Sequence, residues 1–200
     1  MTGAFEIKDN VLIKYHGKEE TAVVPEGVAI IRHNAFEACI TLNKIILPES
    51  ITKIEHSAFE YCTNLESLNI PESVITIGNS PFWGCERLTS LATKYGGFPL
   101  QYHNCWKILP DVFSIFSTED TDEISSVFPR TLEKLVQYSA LEIIRNILQS
   151  EKFACLLNPE LTDKLIRLAI EKKHYQIQLL LTDYKYQHFG FRDVSDKLKL

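Results

Sequence analysis

A pattern of apolar and polar positions repeats every 23 residues through residues 24–91. A fixed period of this length is typical of a solenoid, in which each unit buries its apolar side against its neighbours. The pattern therefore predicts three stacked repeats at about 24–46, 47–69 and 70–92. The positions that recur in register are Pro25, Pro48 and Pro71; Phe36, Phe59 and Phe82; Cys39, Cys62 and Cys85; and Leu42, Leu65 and Leu88.

Within each repeat, the spacing predicts one short strand that ends at a proline, because proline has no N–H for the ladder. Ile51 and Ile54 are expected to line a second inward edge. Residues 58–62 are expected to form a short helical turn that places Phe59 and Cys62 in the core. The strand residues expected to point inward are Leu42, Ile45 and Leu47; Leu65, Leu68 and Ile70; and Leu88 and Leu91.

The residues before the repeats alternate as strands do, with turn residues between the apolar runs. We expect a β-hairpin or meander that caps the open end of the solenoid, where strand edges would otherwise meet water. After Leu91 the period stops, and residues 101–116 are expected to form an irregular, aromatic-rich cap. The positions expected to point inward at the start are Phe5, Ile7, Val11, Ile13, Tyr15, Ala22 and Val24.

The apolar spacing becomes helical from about residue 121 onward. Asn158 followed by Pro159 indicates a helix start, since proline loses no hydrogen bond at the first helical position. One further apolar stripe precedes residues 172–174 and another follows them. So short a link between two helices indicates an antiparallel pair. The fold class is therefore α+β: a capped solenoid domain, 1–117, followed by a helical bundle domain, 118–200. The apolar stripes are Leu132, Leu135 and Val136; Leu141, Ile144, Ile147 and Leu148; Leu161, Leu165, Leu168 and Ala169; and Ile177, Leu180, Leu181 and Tyr184.

The repeat pattern over residues 5–95, as in residues 71–88, resembles the BspA-type leucine-rich repeat. The resemblance implies a protein-binding solenoid without catalytic residues, of a kind often found on bacterial or protozoan surfaces. Arg32 and Glu55 stand where that family favours the glycine seen at Gly78. Residues 168–181 are similar to the helical half of an ankyrin repeat, with Lys173 at the usual glycine position, which implies a helix-pair geometry.

Composition and charge narrow the classes of partner. The net charge is −5, and a weakly acidic chain argues against a nucleic-acid groove, which needs a basic stripe. No apolar run approaches the ~18 residues of a membrane span. Residues 1–9 lack the features of a signal peptide, so we expect a cytoplasmic location, or the cell surface if a leader is missing.

The cysteines are the first candidates for chemistry. Cys39, Cys62 and Cys85 would lie in one column with parallel side chains, which suits neither tetrahedral zinc nor a disulfide. The total of five cysteines is odd and favours a reducing compartment. Cys105 with His103 as a base is the remaining candidate for a nucleophile. We expect no metal, no cofactor and no catalytic residue.

The function that we predict is a non-enzymatic protein–protein interaction module. One alternative is an enzyme of unrecognised type that uses the Cys105 and His103 region. Another is self-assembly, as a homo-oligomer, through the aromatic C-terminal tail. Tyr61 and Trp83 are further anchors if exposed, although we expect Trp83 in the core. The predicted partner-binding residues are Lys44, Ile46, Ser67, Asn69, Ser90, Ala92, Tyr186 and Phe191.

Overall fold

The computed structural model describes residues 3–100 and 105–190. The chain divides into two compact units, Met1–Val127 and Phe128–Leu200. Strands and helices are both present, so the chain has the predicted α+β class. The predicted domain boundary between residues 117 and 118 stays a prediction. The strands are β1 (Phe5–Lys8), β2 (Val11–Tyr15), β3 (Thr21–Val23), β4 (Ile30–Ile31), β5 (Lys44–Ile46), β6 (Lys53–Ile54), β7 (Ser67–Leu68), β8 (Thr76–Ile77), β9 (Ser90–Thr93) and β10 (Gly96–Pro99).

Two ladders of parallel strands have the same 23-residue period as the sequence. One sheet has the order β1-β2-β4-β6-β8, and another has the order β3-β5-β7. From β3 and β4 onward, the parallel strands pair with the strand 23 residues later, so that buried Ile31, Ile54 and Ile77 lie in one row. Ile45 and Leu68 form a second buried row across the other sheet. Corresponding residues of successive repeats therefore stack on one another, roughly 5 Å apart.

The phenylalanine of each repeat lies in a single buried column. Phe36 and Phe59 have ring centroids 5.3 Å apart, and Phe59 and Phe82 are 5.4 Å apart, with nearly parallel rings. Tyr15 extends the column at 5.3 Å from Phe36. These four side chains are at most 4% exposed. The column confirms that the sequence period is a spatial period.

The segment that carries Phe59 and Cys62 is a turn and not the predicted helical turn. Cys62 N–H donates to the Phe59 carbonyl at 3.3 Å, which closes a tight turn. Tyr61 has φ of +58°, a left-handed conformation that a right-handed helix cannot continue. The prediction that Phe59 and Cys62 are buried is confirmed, since neither side chain is exposed.

The N-terminal cap is an antiparallel hairpin of β1 and β2, not a meander. Its register shifts between Glu6 and Ile7, so the alternation predicted from the sequence is wrong there. Leu12 is buried in place of Val11 and Ile13, and Ile7 is 40% exposed. The third strand, β3, leaves the hairpin and pairs in parallel with β5 of the other sheet.

The second cap is helical where we predicted an irregular segment. A 3-10 helix, Cys105–Ile108, leads into α1 (Leu109–Ser117), which begins with Pro110 in its first turn. α1 lies against β8, and Ser117 Oγ donates to the Ile75 carbonyl at 3.1 Å. Because β8 is the last strand of its sheet, α1 covers an edge that would otherwise be open. Tyr102 and His103 lie outside the described residues.

Within the described residues, five further helices follow α1, and the apolar stripes predicted from the sequence fall on them. Asn158 is the predicted N-cap of α5, and its Oδ1 accepts from Leu161 N–H at 2.9 Å. The buried side chains include Ile144 and Ile147, Leu165 and Ala169, and Ile177, Leu181 and Tyr184. The helices are α2 (Thr121–Gln137), α3 (Leu141–Gln149), α4 (Glu151–Ala154), α5 (Pro159–Glu171) and α6 (Tyr175–Phe189).

The links α2–α3 and α5–α6 have the same conformation, 34 residues apart. Ser139 in the first link and Lys173 in the second are both left-handed, with φ of +58° and +60°. A hydrogen bond typical of a helix C-terminus closes each link, and two apolar residues follow in buried positions. The bonds are Ala140 N to Leu135 O at 2.9 Å and His174 N to Ala169 O at 2.8 Å; the buried residues are Ile143 and Ile147, then Ile177 and Leu181.

Candidate protein-binding surface

Six of the predicted partner-binding residues lie together on the outward face of the β3-β5-β7 sheet and its continuation into β9. We call them the strand surface: Lys44, Ile46, Ser67, Asn69, Ser90 and Ala92, all of them exposed. The fold aligns these residues because Lys44 pairs with Ser67 and Asn69 bridges to Ala92, each a step of one repeat. Their neighbours Ile45, Leu68 and Leu91 point the opposite way and are buried, since successive strand residues alternate between faces.

The strand surface contains a groove of about 440 Å³ along β5 and β7, the strands that end the first and second repeats. Its walls are mixed in chemistry. Ile46 is 42% exposed and supplies an apolar patch, while Lys44 and Glu72 supply charges of opposite sign. Such a surface offers hydrogen bonds and some apolar area, and it fits the polar character of ordinary protein interfaces.

The sequence reasoning missed two residues at the N-terminal end of this face. Thr21 pairs with Lys44 and Val23 pairs with Ile46, so β3 adds one more rung to the strand surface. Val23 is 57% exposed and enlarges the apolar patch around Ile46. The signal was present, because counting back 23 residues from Lys44 and Ile46 reaches Thr21 and Val23.

The two remaining predicted residues are not part of this face. Tyr186 lies on α6 in the second unit and is 60% exposed. Phe191 lies outside the described residues. A role for either residue in binding stays a prediction.

The cysteine column, Cys39, Cys62 and Cys85, lies in the turns that carry the phenylalanine column. Cys62 is buried, and the other two are half-buried. Cys62 Sγ donates to the Phe36 carbonyl at 3.0 Å, and Cys85 Sγ donates to the Phe59 carbonyl at 3.0 Å. A hydrogen bond with Cys39 lowers the pKa of the Cys62 thiol, but a hydrogen bond with Cys85 and burial raise it to about 12. A neutral thiol is a poor metal ligand and a poor nucleophile, which fits the predicted structural role.

Neither histidines nor cysteines form a metal centre in residues 3–100 and 105–190, where no group of three or more suitable side chains is present. The imidazole rings of His33 and His56 stack on each other, with centroids 5.1 Å apart and planes only 4° from parallel. Stacked rings aim their nitrogen lone pairs along parallel planes and cannot converge on one ion. Cys105, the candidate nucleophile, is fully buried.

Trp83 is 51% exposed, so the expectation that it belongs to the core is wrong. It occupies the position of Glu37 and Glu60 in the two preceding repeats, which both point outward. Its neighbour Tyr61 is 44% exposed, and the two ring centroids are 5.9 Å apart. The period alone would have placed Trp83 correctly, because position in the repeat decides the direction of a side chain more strongly than its size.

None of the described helices has both the length and the apolar character to cross a membrane. The sequence model of the family described as "BspA type Leucine rich repeat region (6 copies)" matches residues 6–100. No curated protein matches the chain significantly.

Three solved structures are similar over part of the chain. A leucine rich cell surface protein from Faecalibacterium prausnitzii A2-165 is 35% identical over 37% of this chain and 19% of its own, with a TM-score of 0.35. A T. pallidum leucine rich repeat protein is 21% identical over 46% of this chain and 63% of its own, with a TM-score of 0.35. A leucine-rich repeat protein from Bacteroides capillosus ATCC 29799 is 21% identical over 47% of this chain and 96% of its own, with a TM-score of 0.33.

The chain therefore spans about a fifth of the Faecalibacterium protein and less than two thirds of the T. pallidum protein. The family match ends at residue 100, before α1 and the helices of the second unit. Its range agrees closely with the resemblance over residues 5–95 and with the two parallel ladders. Residues 6–100 therefore match the BspA-type leucine-rich repeat region in sequence, and their paired strands repeat with the same period.

Proposed function

We propose that this chain is a non-enzymatic protein-binding module in which a short solenoid presents the strand surface to a partner protein. The helices of residues 118–200 form a separate bundle domain in this proposal. The observation that carries the proposal is the register of β3, β5 and β7, which sets exposed side chains of successive repeats in rows on one face. Leucine-rich repeats of this family imply a protein ligand, and a regular row of exposed side chains suits one.

The groove of the strand surface indicates where a partner would dock. The patch of Val23 and Ile46 would receive an apolar side chain, because both residues are more than two fifths exposed. Lys44 and Asn69 would hydrogen-bond to polar groups of the partner at the edge of that patch. Few aromatic or arginine anchors are present here, so the affinity would depend on the fit over several repeats.

Obstruction of the groove tests this proposal. Ser67→Arg places a long charged side chain in the groove, and Thr76→Arg places the same side chain on the exposed side of β8 in the next repeat. Cross-linking and pull-down from the source organism should recover a partner with the unmodified chain and with Thr76→Arg, but not with Ser67→Arg. Equal recovery by all three proteins would exclude the strand surface.

We also propose that the protein resides in a reducing compartment such as the cytoplasm. All five cysteines are free thiols, and the column of Cys39, Cys62 and Cys85 gains nothing from oxidation because its side chains run in parallel. Fractionation of cells of the source organism, followed by immunoblotting, should find the protein in the soluble cytoplasmic fraction. Recovery from the cell surface would contradict this part.

The enzyme alternative depends on Cys105, whose burial leaves its thiol out of reach of a substrate. Alkylation with iodoacetamide at neutral pH should modify exposed Cys155 long before Cys105. Mass spectrometry of the digested protein would locate the label. Rapid labelling of Cys105 would favour the enzyme.

Self-assembly through the C-terminal tail is the other alternative, and the exposed ring of Tyr186 motivates it. Sedimentation equilibrium at high protein concentration distinguishes it from the binding module. A monomer excludes self-assembly, whereas a dimer that Tyr186→Ala dissociates supports it.

A further inference from the structure

Tyr61 and Trp83 form an exposed aromatic pair on the turn edge of the repeats. The pair belongs to the segments that carry the phenylalanine column, not to the strand surface. The two rings are tilted by 33° with centroids 5.9 Å apart, and about half of each side chain is in contact with water. Tryptophan and tyrosine are the residues that most often dominate protein interfaces, because they bury a large area with few rotatable bonds.

The backbone holds this pair in place before any ligand arrives. Tyr61 N–H donates to the Trp83 carbonyl at 2.7 Å, which fixes the spacing between the two repeats. The Tyr61 ring lies directly over Gly84, where a Cβ atom would come within 2.4 Å of Tyr61 Cδ1. Gly84 also has φ of +77°, a conformation that favours glycine. A larger residue at position 84 would push the Tyr61 ring away from its present place.

Three polar groups beside the rings have no partner in the part of the chain that the structure describes. They are the indole N–H of Trp83, the hydroxyl of Tyr61 and the carboxylate of Glu60. Glu60 occupies the position of Trp83 in the preceding repeat, so its side chain emerges next to that of Trp83, one step of roughly 5 Å away. The corresponding residue one repeat further back, Glu37, differs from Glu60 because it is paired with the Lys14 ammonium at 3.6 Å.

Two aromatic faces beside an unpaired carboxylate favour a cationic ligand. A guanidinium is planar, stacks on aromatic rings and pairs with a carboxylate through two hydrogen bonds. A lysine ammonium satisfies the charge but not the stacking. The net charge of −5 adds a general attraction for basic partners.

We propose that Tyr61, Trp83 and Glu60 form a docking surface for an arginine side chain in a basic segment of a partner protein. The guanidinium would lie against the rings with its N–H groups directed at the Glu60 carboxylate. This surface does not depend on the strand surface, because the two are formed by different segments of each repeat.

Isothermal titration calorimetry with a synthetic peptide tests the proposal. The probe is acetyl-Gly-Arg-Gly-Arg-Gly-amide, compared with the same peptide carrying lysine, at low ionic strength. We expect the arginine peptide to bind more tightly than the lysine peptide. We also expect Trp83→Ala to weaken the arginine peptide by about tenfold, the range of a cation–π contact that is partly shielded from water.

Charge-matched variants separate the docking surface from general electrostatics. Glu60→Gln should weaken the arginine peptide by at least threefold. Glu72→Gln, which removes the same charge on the strand side of the third repeat, should leave its affinity unchanged. Circular dichroism melting confirms that each variant is folded, and Trp83→Phe replaces Trp83→Ala if the latter unfolds.

Two results would overturn the proposal. One is equal weakening by Glu60→Gln and Glu72→Gln, which would mean that only net charge attracts the peptide. The other is unchanged binding by the Trp83 variant. Ser67→Arg should bind the arginine peptide as the unmodified chain does, so failure of the strand surface and failure of this surface are distinguishable.

Discussion

The two units both repeat a local structure, but only one of them repeats it in its sequence. In the first unit the same residues return every 23 positions, and Phe36, Phe59 and Phe82 stack ring on ring. In the second unit the links at Ser139 and Lys173 share φ values and hydrogen bonds, although the two residues have little chemistry in common. The comparison shows that the geometry of packing decides how visibly a repeated structure appears in a sequence.

The physical reason lies in what each residue touches. A residue in a parallel ladder packs on its own counterpart roughly 5 Å away, so its size and shape must return in each repeat. A helix residue packs into a groove formed by different residues of another helix. That contact needs an apolar side chain of suitable volume but no particular identity. Ile143 and its counterpart Ile177 are buried and identical. Ile147 and its counterpart Leu181 are also buried but differ in shape.

The largest expected effect is loss of the central ring of the phenylalanine column. Phe59→Ala should reduce the free energy of unfolding by about 3–5 kcal/mol, because Phe59 is fully buried between two other rings. Ile75→Ala removes an exposed side chain of the next repeat and should change stability by less than about 0.5 kcal/mol. Urea denaturation followed by circular dichroism measures both. A loss below about 1 kcal/mol for Phe59→Ala would show that the column does not stabilise the repeats.

Corresponding deletions in the two helix pairs test whether they are equivalent. Ile143→Ala and Ile177→Ala should each cost about 2–5 kcal/mol in the unfolding transition of the second unit, since both side chains are almost fully buried. Leu179→Ala serves as the control, because this leucine is 63% exposed. Differential scanning calorimetry resolves that transition. If one of the buried positions tolerates alanine, the pairs share a link conformation but not a core.

Removal of the helix cap at Asn158 should have a smaller effect. Asn158→Ala leaves the Leu161 N–H without its side-chain acceptor and should cost about 1 kcal/mol. Asn158→Asp keeps an acceptor at the same place and should restore the stability. The measurement is the same thermal transition. Equal stability of the alanine and aspartate variants would mean that water replaces the cap.

The smallest expected effect is a gain in stability from glycine in the left-handed links. Lys173→Gly and Ser139→Gly should each stabilise the second unit by about 0.5 kcal/mol, because relief of the left-handed strain exceeds the added entropy of the unfolded chain. Lys172→Gly is the matched control: this residue has a right-handed conformation, with φ of −83°, and glycine should destabilise it. Stabilisation by Lys172→Gly as well would refute the conformational explanation.

The repeat period was enough to predict the phenylalanine column and the outward direction of Lys44, Ile46, Ser67, Asn69, Ser90 and Ala92. The prediction was wrong where one position broke the periodicity. The register shift beside Ile7 exchanged the faces of the hairpin and buried Leu12. A left-handed Tyr61 replaced the expected helical turn, and local alternation carries no signal of either event.

Residues outside the periodic segments depended on contacts that are distant in sequence. α1 forms along the open edge of β8, and Ser117 reaches the carbonyl of Ile75, 42 positions earlier. Trp83 was misplaced because its size suggested burial, although Glu37 and Glu60 already marked its position as outward. The aromatic pair with Tyr61 then follows from Gly84, whose missing side chain leaves room for the ring.

The sequence by itself determined the 23-residue repeat, the side of the sheet on which the strand residues of the repeats lie and the start of α5 after Asn158. Each of these depends on neighbours that are close along the chain or related by a constant step. Only the tertiary structure decided the register of the hairpin, the helix that closes the β8 edge and the matching links at Ser139 and Lys173. These features arise where unlike residues meet, and such contacts leave no period in the sequence.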